Sequence, residues 1–429
     1  QLTNLGSAVI NQINKYYQFG TITKIPDQRF RFYVNFYNPK ILKNLVPELS
    51  NFAPSRMRGL LDTKKDSMNI DAVFPQVTYG SYRVDSTRLN INNDNQKLNY
   101  KLNIKSLQSP SLAFFNNEIS GAAVNNLLDL NIFLRDRKRK DKYVLGGQFS
   151  SMNKDFRFSF DPQKVLLNYE KWIVAPENYF QFGESGILAN QFNLSNGGQL
   201  LSINSESNTP NAPLKIDFKD FRIETLTRFA EADSALAGGA INGTVQVKEL
   251  TGSPKFEANL TIDQLRYQKD MLGTLRIAVN NNTENAFETN IALSGVHELR
   301  ASGFYYTAPE SALDLTLNID KIDLKAIESL SMGQIKNGTG TISGQLSVKG
   351  SLDAPKVLGD MKFNQAGFNV TYVNSFFRMP NETISFTDSG INFNKFTILD
   401  SLNQKAVITG GVLTRDYRDF KFNMDIRTN

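Results

Sequence analysis

The residues that could do chemistry are few. A single histidine, His297, stands among 429 residues, and cysteine is absent. A chain without thiols has no disulfide framework and no thiolate zinc site, and it suits an oxidising compartment. One imidazole all but removes histidine-based metal sites and Ser-His-Asp chemistry. His297 follows the apolar run Ile291 to Val296, so it reads as a structural residue of a strand or turn. Asp314 and Asp320 fall at the polar parity of a strand pattern, and no carboxylate pair is set by spacing for acid–base work. The glycine-rich run Gly338 to Gly344 lacks the Lys-Ser/Thr ending of a phosphate loop and leads into a strand pattern, not a helix. No complete calcium loop is present. Trp172 reads as a packing or rim residue. The expectation is a protein that is not an enzyme and holds no cofactor or metal.

Charge adds one candidate. The net charge is +6, and its one dense cluster runs from Arg135 to Lys142, with Arg135, Arg137, Lys138, Arg139 and Lys140 interspersed with Asp136 and Asp141. Such a run is either a solvated hairpin tip or a contact for anionic headgroups or an acidic partner. No helical basic face surrounds it, so nucleic-acid binding is not expected. No stretch approaches the roughly 20 consecutive apolar residues of a membrane-spanning helix. The start at Gln1 and the strand-like finish Phe420 to Ile426 suggest a segment of a longer polypeptide.

The elements around these residues are strands. Phe30, Phe32, Val34 and Phe36 alternate with other residues, as do Leu98 to Ile104, Phe156 to Phe160 and Leu313 to Ile319. A period of two marks a strand with one apolar and one wet face. Asn, Gly, Asp and Pro punctuate the runs as in a meander. Short helices are expected at Leu5 to Tyr16, Ile41 to Leu49 and Leu324 to Leu330.

A repeat organises these strands. Leu214, Ile216 and Phe218 match Leu315, Leu317 and Ile319 at an offset of 101 residues. Ile241, Gly243, Val245 and Val247 match Ile342, Gly344, Leu346 and Val348, Pro254 matches Pro355, and Leu260 and Ile262 match Met361 and Phe363. The copies span 214–262 and 315–363 without a gap. A weaker third copy starts at Phe30. Repeats of this kind stack in one dimension. The expected fold is therefore all-β, an elongated, curled repeat sheet of mostly antiparallel strands with an open groove. It is continuous through an N-terminal segment, 1–150, and a C-terminal segment, 151–429.

Gly243 and Gly344 share the parity of the apolar positions, and small inward residues let a sheet curl. The curled sheet would form a trough lined by Leu214, Ile216, Phe218, Ile241, Val245, Val247, Leu260, Ile262, Leu315, Leu317, Ile319, Ile342, Leu346, Val348 and Phe363. An apolar surface left open marks a binding site, and an acyl chain is its natural occupant. The alternative is a filled core.

A resemblance joins this reading. Gly338, Gly344, Leu346, Val348, Gly350, Pro355, Gly359, Met361 and Phe363 follow a recurrent Gly–strand–Gly–Pro–Gly–strand signature. Phe368 to Tyr372, Ile384 to Phe386, Gly390 to Phe393, Asp400 to Gly410 and Val165 to Trp172 continue it. Over about 150–429 the chain resembles the TamB family of AsmA-like bridge proteins, in its Bacteroidota form. That resemblance implies a β-taco in the periplasm of a Gram-negative bacterium, an inner-membrane anchor outside this segment and a BamA/TamA-type outer-membrane barrel as partner. It also implies phospholipid transport, outer-membrane protein assembly, or both. Competing readings are an adhesive or structural β-repeat protein with a filled core, and a β-solenoid polysaccharide enzyme. The latter should show clustered carboxylates and aromatic platforms, which are not seen.

Overall fold

The computed structural model describes the chain except residues 1–3, 19, 38–43, 45, 47, 95, 111, 153, 228–236, 269, 332, 416–418 and 429. The helix expected at Ile41 to Leu49 lies largely outside the described residues. Strands make up 71 % of the described residues and are mostly antiparallel, and the two sheets they form do not close into a barrel. The all-β expectation thus holds. The single continuous sheet is replaced by one sheet of thirteen strands and one of sixteen. Two compact units divide the chain near residue 217.

The first unit opens with α1 (Leu5–Asn14). The long strands β1 (Arg29–Phe36), β3 (Ser55–Asp62), β4 (Ser67–Tyr79), β5 (Tyr82–Asn93), β6 (Leu98–Ser109), β7 (Leu112–Val124), β8 (Leu127–Arg135), β9 (Asp141–Met152) and β10 (Asp155–Leu167) follow. They pair in that order, and β2 (Leu49–Phe52) pairs with β4. Leu5, Val9 and Ile13 recur every fourth residue, the spacing of one helical face. With Ala8, Tyr16 and Tyr17 they pack on Leu61, Met68, Leu98 and Ala123. Between Asn168 and Asn196 the chain breaks into five strands of two to five residues: β11 (Glu170–Lys171), β12 (Ile173–Val174), β13 (Tyr179–Gly183), β14 (Leu188–Asn190) and β15 (Phe192–Asn196). Of these, β11, β13 and β14 belong to the first sheet, whereas β12 and β15 belong to the second. This break is why one sheet becomes two. Trp172 sits in it, 0 % exposed, a packing residue.

β16 (Gln199–Ser205), β17 (Leu214–Arg222) and α2 (Glu224–Thr227) lead towards the second unit. That unit holds β18 (Ala237–Lys248), β19 (Lys255–Tyr267), β20 (Asp270–Asn280), β21 (Ala286–Ser294), β22 (Glu298–Tyr306) and β23 (Ala312–Asp323). It continues through α3 (Leu324–Leu330), β24 (Ile335–Gly350), β25 (Pro355–Val370), β26 (Ser375–Thr387), β27 (Gly390–Leu399), β28 (Lys405–Arg415) and β29 (Asp419–Thr428). From β18 onward each strand is antiparallel to the next.

The 101-residue offset has a structural counterpart. In each copy a strand (β17, β23) runs into a short helix (α2, α3) and then into two long strands. The register slips at Gly239 in β18 and at Gly340 in β24. Gln264 and Gln365, both with φ near +50°, recur at the same offset. A bulge places two residues opposite one, so alternation changes phase there. Ile262 is thus followed on its face by Leu265. Beyond Gln365, residues Ala366, Met379 and Phe396 join Leu324, Ile342 and Ile384 in a buried core.

Candidate functional site

The pairing of β18 to β25 shows which side chains share a face. One row across the sheet runs Gly243, Leu260, Ile277, Ile291, Ala301, Leu317, Leu346 and Gly359. The row beside it holds Ile241, Ile262, Leu275, Leu293, Leu299 and Ile319. Val245 and Val247 continue this face on β18, as do Leu315 on β23, Ile342 and Val348 on β24 and Phe363 on β25. Leu214, Ile216 and Phe218 alternate along β17, with Leu214 buried and the other two half-buried.

Burial divides this face in two. Ile319, Ile342 and Leu346 are 6 %, 6 % and 8 % exposed, next to the core that α3 covers. From β18 to β22 the apolar positions are mostly half-buried, with Ala258 buried. A core side chain under a second layer is almost wholly hidden, so this stretch is an open apolar surface. Asp314, Thr316 and Asn318 lie on the opposite face and are also half-buried. The two sets alternate across the strand, and along β23 the contrast in burial is confined to Ile319.

The glycines on this face shape it. Gly243 has φ +120°, and a Cβ there would come within 2.1 Å of Asn259 O. Its counterpart Gly344 would place a Cβ 2.2 Å from Asp360 O. At both, the neighbouring strand's backbone leans across the space a side chain needs. Only glycine permits that approach.

His297 occupies the turn between β21 and β22 and is 3 % exposed. Its backbone N–H donates to Leu272 O on β20 at 3.3 Å. Its Nδ1 accepts from the Asp323 N–H at 3.2 Å. Asp323 in turn caps α3, its carboxylate accepting from the Lys325 N–H at 2.9 Å. α3 packs on β23, β24 and β25 and reaches past the short β21–β22 hairpin to β20. Burial pushes the imidazole below its ordinary pKa, and Lys321 acts in the same direction against Asp323 and Asp270. His297 thus ties β20, through its backbone, to the start of α3, through its ring.

The basic run forms the turn between β8 and β9. Arg135 donates to Asp141 at 2.8 Å and lies over the Phe133 ring. Arg137 lies over Phe115 and Lys140 over Tyr169. Burial raises the Asp136 carboxyl, but hydrogen bonds led by the Lys140 N–H and the Tyr169 hydroxyl outweigh it and hold its pKa below the usual value. Arg137, Lys138, Arg139 and Lys140 are exposed, as at a hairpin tip.

A feature missed by alternation lies on the polar face of β19 to β23. There a concavity of about 710 Å³ is walled by Asn259, Thr261, Arg276, Asn290, Arg300, Ser302 and Asn318, with Ala278 and Ala292 at its floor. The signal in the sequence was the pair of small residues at wet positions, between strands that otherwise carry long polar side chains there.

These features define an all-β repeat protein with an open apolar sheet face. Residues 288–375, from within β21 to the start of β26, match the family described as TamB C-terminal domain. This stretch of the chain thus matches the TamB family, a family linked in general to the cell envelope and to outer-membrane protein assembly and lipid transport. No curated protein and no solved structure matches the chain. Among the described residues no helix is long and apolar enough to cross a membrane.

Proposed function

We propose that this chain is a non-catalytic part of a periplasmic bridge between the inner and outer membranes, and that its apolar sheet face guides phospholipid acyl chains. It serves lipid delivery to the outer membrane, outer-membrane protein assembly with a BamA/TamA-type barrel, or both. The observation that carries this reading is the half-exposed apolar face from β18 to β23. Acyl chains would satisfy that surface without the polar partners an ordered protein ligand requires.

The test places a charge on this face. An unpaired charge in an apolar setting costs several kcal/mol, or admits water and breaks the path. Val348→Asp should reduce phospholipid photocrosslinking at neighbouring inward positions and weaken the outer-membrane barrier in cells. Ser347→Asp, on the opposite face, should leave both unchanged at equal protein abundance. Full crosslinking and a full barrier in folded Val348→Asp protein would reject the conduit.

The core at β24 to β28 favours a second reading, a structural β-repeat protein with a filled interior. Native mass spectrometry decides: co-purifying phospholipid supports the bridge, and lipid-free protein supports the filled interior.

A further inference from the structure

The concavity on the polar face is separate from the acyl-guiding surface, because β19 to β23 themselves lie between the two. Two rows of side chains form it. One row is Thr261, Arg276, Ala292, Arg300 and Asn318; the other is Asn259, Ala278, Asn290 and Ser302. The apolar row between them, Leu260, Ile277, Ile291 and Ala301, also borders the concavity. We propose that this concavity is a binding site for a phosphate group, seated over Ala292 and held between Arg276 and Arg300.

Three observations support the assignment. First, Arg276 and Arg300 are the direct cross-strand neighbours of Ala292, so their Cα atoms are two strand spacings apart, about 10 Å. The methyl side chain between them leaves room that any longer residue would fill. Second, the walls combine guanidinium groups, amides and hydroxyls and include no carboxylate. Such a lining favours anionic oxygens over cations, and guanidinium forks match phosphate geometry. Third, much of this hydrogen-bonding capacity is unused within the chain. Arg300 engages Asp320 through Nη2 at 3.0 Å, which steadies the side chain and leaves its other donors free. Arg276 makes one long contact, Nη1 to Ser294 Oγ at 3.4 Å. Asp320 stands outside the lining and lowers the local positive charge, so the site calls for one phosphate rather than a polyanion.

A phospholipid with its chains on the apolar face cannot place its own phosphate here. The phosphate comes either from a soluble phosphorylated compound or from the surface of a membrane lying against this side of the sheet. Both sources share the chemistry, and the experiment separates them.

Titration calorimetry of the full chain with glycerol 3-phosphate provides the soluble arm. Flotation with vesicles of phosphatidylglycerol and phosphatidylcholine, against phosphatidylcholine alone, provides the membrane arm. Saturable binding in either arm is expected. Arg276→Ala and Arg300→Ala should each weaken it at least tenfold, and Lys362→Ala, which removes an equal charge on β25, should change it less than twofold. Ala292→Glu should abolish it by filling the floor with a carboxylate, a check that does not depend on either arginine variant folding normally. Binding to vesicles without binding to glycerol 3-phosphate identifies a membrane surface as the source, and the reverse identifies a soluble ligand. Failure to bind in both arms overturns the site. So does binding that Lys362→Ala weakens as much as Arg276→Ala does.

Discussion

His297 shows how far a residue's type predicts its role. Its isolation in the sequence marks it as structural, yet only the fold reveals that it holds the N–H of Asp323 at the start of α3. That partner is 26 residues away, beyond the reach of any local pattern. The same residue makes a pH prediction. Its folded-state pKa lies below the ordinary 6.5, so as pH falls the unfolded chain takes up the proton first. Stability contributed by the neutral ring is therefore complete above that value and is lost as pH falls towards the folded-state pKa. The urea midpoint of the second unit should drop between pH 7.5 and 5. His297→Gln, which keeps an acceptor but does not titrate, should flatten that slope. An equal slope in both proteins would show that other groups cause it.

At the scale of the element, alternation carried most of the information. It located the strand at Leu313 to Ile319 and separated its residues into two alternating sets, because the side-chain period of a strand is two. It failed at the bulges. Gln264 and Gln365 change the phase within a strand, so Leu265 and Ala366 could not be assigned to the apolar face by counting. The concavity was missed for a related reason: it depends on five strands aligning two alanines, and register across strands is not written in any one of them. Gly243 gives the element-scale prediction. Gly243→Val would set a β-branched residue at φ +120° with its Cβ 2.1 Å from a backbone oxygen. The expected destabilisation is about 2–4 kcal/mol, read from chemical denaturation. A loss below about 0.5 kcal/mol, the usual range for an unremarkable surface change, would show that the strand can relax away from Asn259.

At the scale of the whole molecule, each unit has its own core. In the first, α1 packs on Leu61, Met68 and Leu98; in the second, Leu324, Ile342, Met379 and Phe396 pack together. The repeat was legible because glycine and proline recur at constant offset along with the apolar residues. The division into two sheets was not, since the break between Asn168 and Asn196 is made of strands too short to show a period. Repeat arrays lose stability locally, through neighbouring interfaces rather than all at once. Phe396→Ala, at about 3–5 kcal/mol for a buried ring, should therefore raise amide exchange in β24 to β28. Protection in β3 to β9 should remain as in the parent protein. Uniform loss of protection along the chain would show a single cooperative unit.

The paired bulges also bear on how such a chain can change length. A strand is read in steps of two, and one inserted residue sends every later side chain to the wrong side. Gln264 and Gln365 are places where the chain already takes an odd step. Growth by single residues within the strands would scramble the apolar and polar faces together. Growth by a whole block of strands, helix and bulges carries the odd steps along with it and leaves every face where it was.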